Sequence, residues 1–150
     1  MTFKSHMHTA LSEAQAAAER GEVPVGAVLV GPDGSIVARA GNRTRELSDP
    51  TAHAEVLVIR EACARLGSER LTGHDLYVTL EPCPMCAAAI SFARIRRLYY
   101  GAGDPKSGGV SHGARVFAHP QCHHAPEVYD GIAASEAEAQ LKAFFSARRG

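Results

Sequence analysis

His53 and Glu55 stand two residues apart in "DPTAHAEVLVIREA", residues 49–62, and Cys83 and Cys86 stand three apart in "EPCPMC", residues 81–86. Imidazole nitrogen and thiolate sulfur are donor atoms that suit Zn²⁺. A carboxylate can take and return a proton. Each motif alone also has an ordinary reading. A His and a Glu at a helix start can be surface residues, with Glu55 favoured by the positive end of the helix dipole. A lone C-x-x-C can be a redox pair or two buried small apolar residues.

The two motifs together imply more. Side chains in the first turn of a helix lean toward its N-terminus, so His53 and Glu55 can both reach a point beyond the helix end. Cys83 and Cys86 share one face of a second helix, entered through Pro82. Thiols at a helix start have lowered pKa values, so both sulfurs are poised as thiolates. His53, Cys83 and Cys86 then make three zinc ligands. A tetrahedral site with three protein ligands keeps one position for water, the mark of a catalytic zinc. Two thiolates cancel the charge of the metal, and two helix N-termini aimed at the site offset part of that loss. Glu55 becomes the proton acceptor, then donor, beside that water.

The surrounding elements must bring these residues together. Residues 5–20 read as a helix, with Met7, Ala10, Leu11, Ala14 and Ala18 on one face. "VGAVLVGPDGSIVARAG" reads as two strands joined at Pro32-Asp33-Gly34. After a polar loop, a helix begins near Thr51 or Ala52 and ends near Gly67. Residues 74–81 form a third strand, "CPMCAAAISFAR" a buried helix, and "IRRLYYGA" a fourth strand. Residues 103–126, rich in Gly, Pro and His, carry no clear pattern. "PEVYDG" is a short fifth strand, and "ASEAEAQLKAFFSARR" a final helix with Ser135 and Glu138 as a capping box and Ala137, Leu141, Phe144 and Phe145 on its apolar face. Two strands followed by alternating helices and strands predict a three-layer α/β/α domain with one mixed sheet. If strands 25–31 and 74–81 are adjacent and parallel, both helix starts meet at the carboxyl edge of the sheet, where α/β folds bind ligands.

A chain of 150 residues is expected to form a single domain over residues 1–150. Hydrophobic residues make up 45% and charged residues 21%, an ordinary globular balance. Lys+Arg and Asp+Glu number 16 each, so a nucleic-acid partner would need a local basic patch. There is no long apolar run that predicts a membrane span and no signal-peptide layout, so a cytoplasmic location is expected. Four cysteines in a reducing compartment favour metal or redox chemistry over disulfides.

H-x-E followed by P-C-x-x-C is the signature of zinc nucleobase deaminases, here His53-Ala54-Glu55 and Pro82-Cys83-Pro84-Met85-Cys86. The chain resembles the bacterial tRNA-specific adenosine deaminases over nearly its whole length, through "EVPVGAVLV" (22–30), "GNR" (41–43), "DPTAHAE" (49–55), "LYVTLEPCPMCAAAI" (76–90) and "RIRRLYYGAGDPKSGG" (94–109). The resemblance implies a cytidine-deaminase-like fold with a central five-stranded sheet, one zinc per subunit and a homodimer. It implies conversion of wobble adenosine to inosine in the anticodon stem-loop of an arginine tRNA. By the same resemblance Asn42 hydrogen-bonds the purine, Val25 and Ala54 belong to the base pocket, and Asp104 and Lys106 contact nucleotides around a flipped base. Asn42 can also be a turn residue, Val25 a strand core residue, and Asp104 and Lys106 a solvated turn.

Two other functions share these residues. A deaminase of a free nucleobase or nucleoside would keep the zinc set and lack nucleic-acid contacts. A non-enzymatic zinc-stabilised module would close the fourth ligand position with Glu55, His74 or Cys122. "QCHHAP", 121–126, has no matching pair for a second zinc, Cys63 reads as a buried small residue, and Arg94, Arg96 and Arg97 read as surface, interface or RNA-contacting residues.

Overall fold

The computed structural model describes residues 4–149, of Arg149 the backbone only. The elements are α1 (Met7–Glu19), β1 (Gly26–Val30), β2 (Ile36–Gly41), α2 (Ala54–Leu66), β3 (Asp75–Leu80), α3 (Pro84–Ala93), β4 (Arg97–Ala102), β5 (Glu127–Tyr129) and α4 (Ala134–Arg149). The five strands form one mixed sheet in the order β2-β1-β3-β4-β5. Helices α1 and α4 cover one face, and α2 and α3 the other.

Alternation along the strands builds a core on each face. Ala27, Leu29, Leu76 and Val78 point toward α2 and α3, where they meet Val58, Ala62, Ile90 and Ala93. Val28, Val30, Tyr77 and Tyr99 point the other way, toward Met7 and Ala10. On α1 the buried stripe is Met7, Ala10, Ala14 and Ala17, so Ala17 rather than Ala18 completes it, one step round the helix. Gly26 permits the closeness of this layer, since a Cβ there would meet the Ala10 carbonyl oxygen at 1.9 Å. Tyr77, Tyr99 and Tyr129 stack across β3, β4 and β5, with ring centroids 4.4 and 5.0 Å apart.

Strands β1 and β3 are adjacent but antiparallel, contrary to the expectation from the sequence. The reason is the hairpin. Because β2 returns antiparallel to β1, β2 and β3 run the same way, and β3 pairs with β4 in parallel. Helix α2 follows β2 and α3 follows β3, so both helix starts still reach one sheet edge. The helices also begin later than expected. Asp49 Oδ1 accepts the Thr51 N–H at 2.8 Å and the Thr51 hydroxyl at 2.7 Å, holding that stretch in a turn. Helix α2 therefore starts at Ala54 and closes on Gly67 in the left-handed region. In α3 Pro84 occupies the first turn, and Pro82 stands just before the N-cap residue Cys83. Ser135 lies inside α4 rather than capping it, because the Ala133 carbonyl already accepts the Ala137 N–H at 3.2 Å. Residues 103–126 are irregular apart from a single turn of 3-10 helix at Val116–Ala118.

Candidate active site

His53 is the N-cap residue of α2 and Cys83 the N-cap residue of α3, both with extended backbone. The cap position is where the chain turns into the helix, so its side chain projects past the helix end rather than along its flank. Neither side chain makes a capping hydrogen bond. Both are thus free to face each other across the sheet edge. Glu55 and Cys86 follow within the first turn of each helix, and both are buried.

The His53 Nδ1 atom lies 3.6 Å from Cys83 Sγ and 3.5 Å from Cys86 Sγ. All three donor atoms lie within 4.8 Å of one another. A tetrahedral zinc with bonds of about 2.3 Å to sulfur and about 2.0–2.1 Å to nitrogen would separate N from S by about 3.6 Å. The residues present therefore fit a zinc ion in spacing and in donor chemistry. Among the described residues no other group of His, Cys, Asp and Glu meets the same criterion. His74 hydrogen-bonds the Thr72 carbonyl through Nδ1, and Cys122 faces Ser91 and His124. Neither is placed to close a fourth ligand position, and the 119–124 histidines form no second cluster.

Local contacts draw the two thiols in opposite directions. Cys86 stabilises the Cys83 thiolate by hydrogen bonding, against the cost of burial, and with help from His53 it brings the Cys83 thiol down to about 4. Its hydrogen bond to Cys83, together with burial and the nearby Glu55 charge, drives the Cys86 thiol upward. Two adjacent thiolates repel, so without a cation the pair keeps a proton that a divalent ion would displace. The hydrogen bond to Cys83 also raises the His53 imidazole. Burial pushes the Glu55 carboxyl up to about 7. Glu55 Oε1 is buried and has no hydrogen-bond partner within the chain. An orphaned oxygen of this kind is costly unless a further group meets it.

These residues open into a cavity of about 250 Å³, whose walls include Val25, Asn42, Glu55, Leu80, Asp104 and Ser107. Ala54 lies buried beneath it, and its N–H donates to Asn42 Oδ1 at 2.8 Å. One of the two acceptor and donor ends of the Asn42 amide is thereby committed, leaving the NH₂ group for the cavity. Lys106 is exposed and outside the wall, and its backbone N–H donates to Asp104 Oδ1 at 3.2 Å.

Two buried carboxylates were not singled out in the sequence. Glu22 accepts the N–H groups of Arg45 and Glu46 at 3.2 and 2.8 Å, which holds the loop that carries Thr44. Glu81 accepts the N–H of Asp104 at 2.9 Å and those of Val110, Ser111 and His112 at 2.8–3.1 Å. Burial alone would raise the Glu81 carboxyl, but these bonds and the His112 ring hold it below its ordinary value. The available signal was a lone carboxylate next to an apolar strand, in "GEVPVG" and "YVTLEP".

Residues 2–102 match the model of the cytidine and deoxycytidylate deaminase zinc-binding region. A tRNA-specific adenosine deaminase of Agrobacterium fabrum is 65% identical over 150 residues, covering 99% of this chain and 98% of that one. The chain belongs to the tRNA-specific adenosine deaminase family. A solved structure from biochemical and structural work on A-to-I editing by tRNA:A34 deaminases at the wobble position of transfer RNA superposes with a TM-score of 0.89. It is 66% identical, over 92% of this chain and all of that chain (100%). The guanine deaminase of Bacillus subtilis is 31% identical with a TM-score of 0.67, over 100% of this chain and 96% of that one. The cytidine-deaminase-like fold is thus shared by members of this family and by an enzyme named for a free base.

Proposed function

We propose that this chain hydrolyses the exocyclic amino group of adenosine at the wobble position of a tRNA anticodon, giving inosine and ammonia. The observation that carries the chemistry is the orphaned Glu55 Oε1, buried in a cavity beside His53, Cys83 and Cys86. The likeness to the Agrobacterium fabrum enzyme supports the substrate. His53, Cys83 and Cys86 would hold one zinc per subunit, which when bound would lower the pKa of water at the open position.

Glu55 Oε1 takes a proton from the attacking water and delivers it to N1 of the ring, then assists departure of ammonia from C6. The Asn42 NH₂ group donates to the purine edge, and Val25 and Leu80 supply apolar contact to its faces. Asp104 and Lys106 are assigned to flanking nucleotides. Anticodon-loop bases are already unpaired, so extruding one into the cavity costs less than from a duplex. We assign an arginine tRNA as the partner, a homodimer as the working form and the cytoplasm as the location, where the cysteines stay reduced.

Incubation of purified, zinc-loaded protein with an anticodon stem-loop carrying wobble adenosine tests this reading, with inosine as the expected product. A free-base deaminase is the second reading, favoured by the Bacillus subtilis likeness. Turnover of free guanine with no inosine in the stem-loop would select it.

A further inference from the structure

Glu81 directly follows β3, two residues before Cys83, and its side chain is wholly buried. Its Oε1 accepts from the Asp104 N–H at 2.9 Å and lies 2.6 Å from His112 Nδ1, while its Oε2 accepts from the N–H groups of Val110, Ser111 and His112 at 3.1, 2.8 and 3.0 Å. Every one of these donors belongs to residues 104–112, a stretch with no helix or strand of its own. Convergent backbone N–H groups suit an anion, and an ionised carboxylate accepts at both oxygens.

The glycines of the loop give independent support. A Cβ on Gly108 would stand 2.5 Å from both Glu81 Oε2 and the Asp104 carbonyl oxygen, and one on Gly109 would stand 2.5 Å from the Pro84 nitrogen. Gly109 also donates its N–H to the Pro82 carbonyl at 2.8 Å. The loop is therefore closed tightly over the Glu81 carboxylate and over the start of α3. Asp104 and Ser107, which wall the cavity, are carried on it.

We propose that Glu81 is a positioning residue: its buried carboxylate latches the 104–112 loop and thereby sets the wall against which the flipped base is held. The substrate named in the test rests on the adenosine deaminase reading, whereas the latch itself does not. Glutamine at this position would turn one acceptor into a donor facing N–H groups, so one half of the latch must open.

The test compares zinc-loaded wild type with Glu81→Gln, Gly108→Ala and the double variant. Amide hydrogen exchange is read at residues 104 and 110–112, alongside zinc content and the kcat and KM for the stem-loop. In Glu81→Gln, protection at those amides is lost while that of β1 remains, zinc is retained, and KM rises about 10–100-fold with kcat nearly unchanged, as expected for one or more charged hydrogen bonds. Gly108→Ala keeps the carboxylate but displaces it, so it gives the same pattern, and the double variant adds little to either. Unchanged protection at 104 and 110–112, or loss of zinc from Glu81→Gln, would overturn the proposal. If Glu81→Gln does not fold, Glu81→Asp, which keeps the charge but shortens its reach, decides by the same amides. If wild type makes no inosine, the deaminase reading fails, and the exchange measurement still decides the latch.

Discussion

The side-chain oxygen of Asn42 accepts the backbone N–H of Ala54 at 2.8 Å, so a residue just beyond β2 satisfies the first turn of α2. His53, the N-cap residue itself, makes no capping hydrogen bond, and its imidazole faces Cys83 and Cys86. The two ends of the Asn42 amide then have separable duties. Asn42→Asp keeps the acceptor and adds charge favourable to a helix start, so its thermal stability stays near wild type while stem-loop turnover falls. Asn42→Ala loses both, with a stability loss of about 1–2 kcal/mol in denaturant titration. Equal stability of the two variants would count against this division.

Ligand and proton-transfer roles separate in the same way. His53→Ala, Cys83→Ala and Cys86→Ala lose zinc and stability together, because metal binding energy is also folding energy. Removing the metal with a chelator lowers the melting temperature of wild type and has little further effect on these variants. Glu55→Gln retains zinc and folds at least as well as wild type, since it removes a charge from a buried site. Its activity falls by about 10²–10⁴-fold. Metal analysis showing an empty site in Glu55→Gln would make Glu55 a ligand.

Charge placement tests the RNA substrate. Arg43 donates from Nε and Nη2 to Glu46 Oε2 at 3.2 and 2.5 Å, and Arg20 lies 3.5 Å from the same carboxylate. Arg45 and Arg148 both donate to the Gly21 carbonyl, at 3.4 and 3.1 Å. The loops thus gather these arginines around Gly21 and Glu46, although the chain is neutral as a whole. The side chain of Arg149 lies outside the described residues. Log affinity for the stem-loop falls with log salt, by roughly 0.7 per phosphate contact. Lys106→Ala flattens that slope by about one contact, and Glu46→Gln steepens it by releasing Arg43. A flat profile with wild type, read by fluorescence titration, would favour a free base.

The proposed homodimer is testable at the outer face of α2 and α3. Phe92 is 67% exposed and Met85 36%, and Phe92, Val56, Ile59 and Ala89 line a surface hollow there. An exposed aromatic ring beside such a hollow suits a contact between two copies of the chain. Light scattering of wild type at micromolar concentration is expected to give twice the 15.9 kDa chain mass. Phe92→Asp shifts the mass toward that of one chain. A wild-type mass near 15.9 kDa would count against the dimer.

The donor set, the helices that carry it and the mixed sheet were legible in the sequence. Residue type and local spacing determine these: a thiol pair at three residues, a carboxylate two residues from an imidazole, and apolar residues at the period of each element. Strand direction was not legible, because alternation reads the same along antiparallel and parallel strands. Only the pairing of β1 with β3 showed that the two run in opposite directions. Helix starts were displaced because turn hydrogen bonds at Asp49 and the proline at Pro84 outweighed propensity. The unequal thiols, the orphaned Glu55 oxygen and the commitment of Asn42 to Ala54 depend on burial and on contacts between distant segments. The structure also decided the role of Glu81. In the sequence it is one carboxylate beside a strand, and its partners lie 23 to 31 residues away in a stretch with no periodicity to read. A loop closed by convergent N–H groups on one buried anion leaves no local pattern, because the donors are backbone and any residue supplies them.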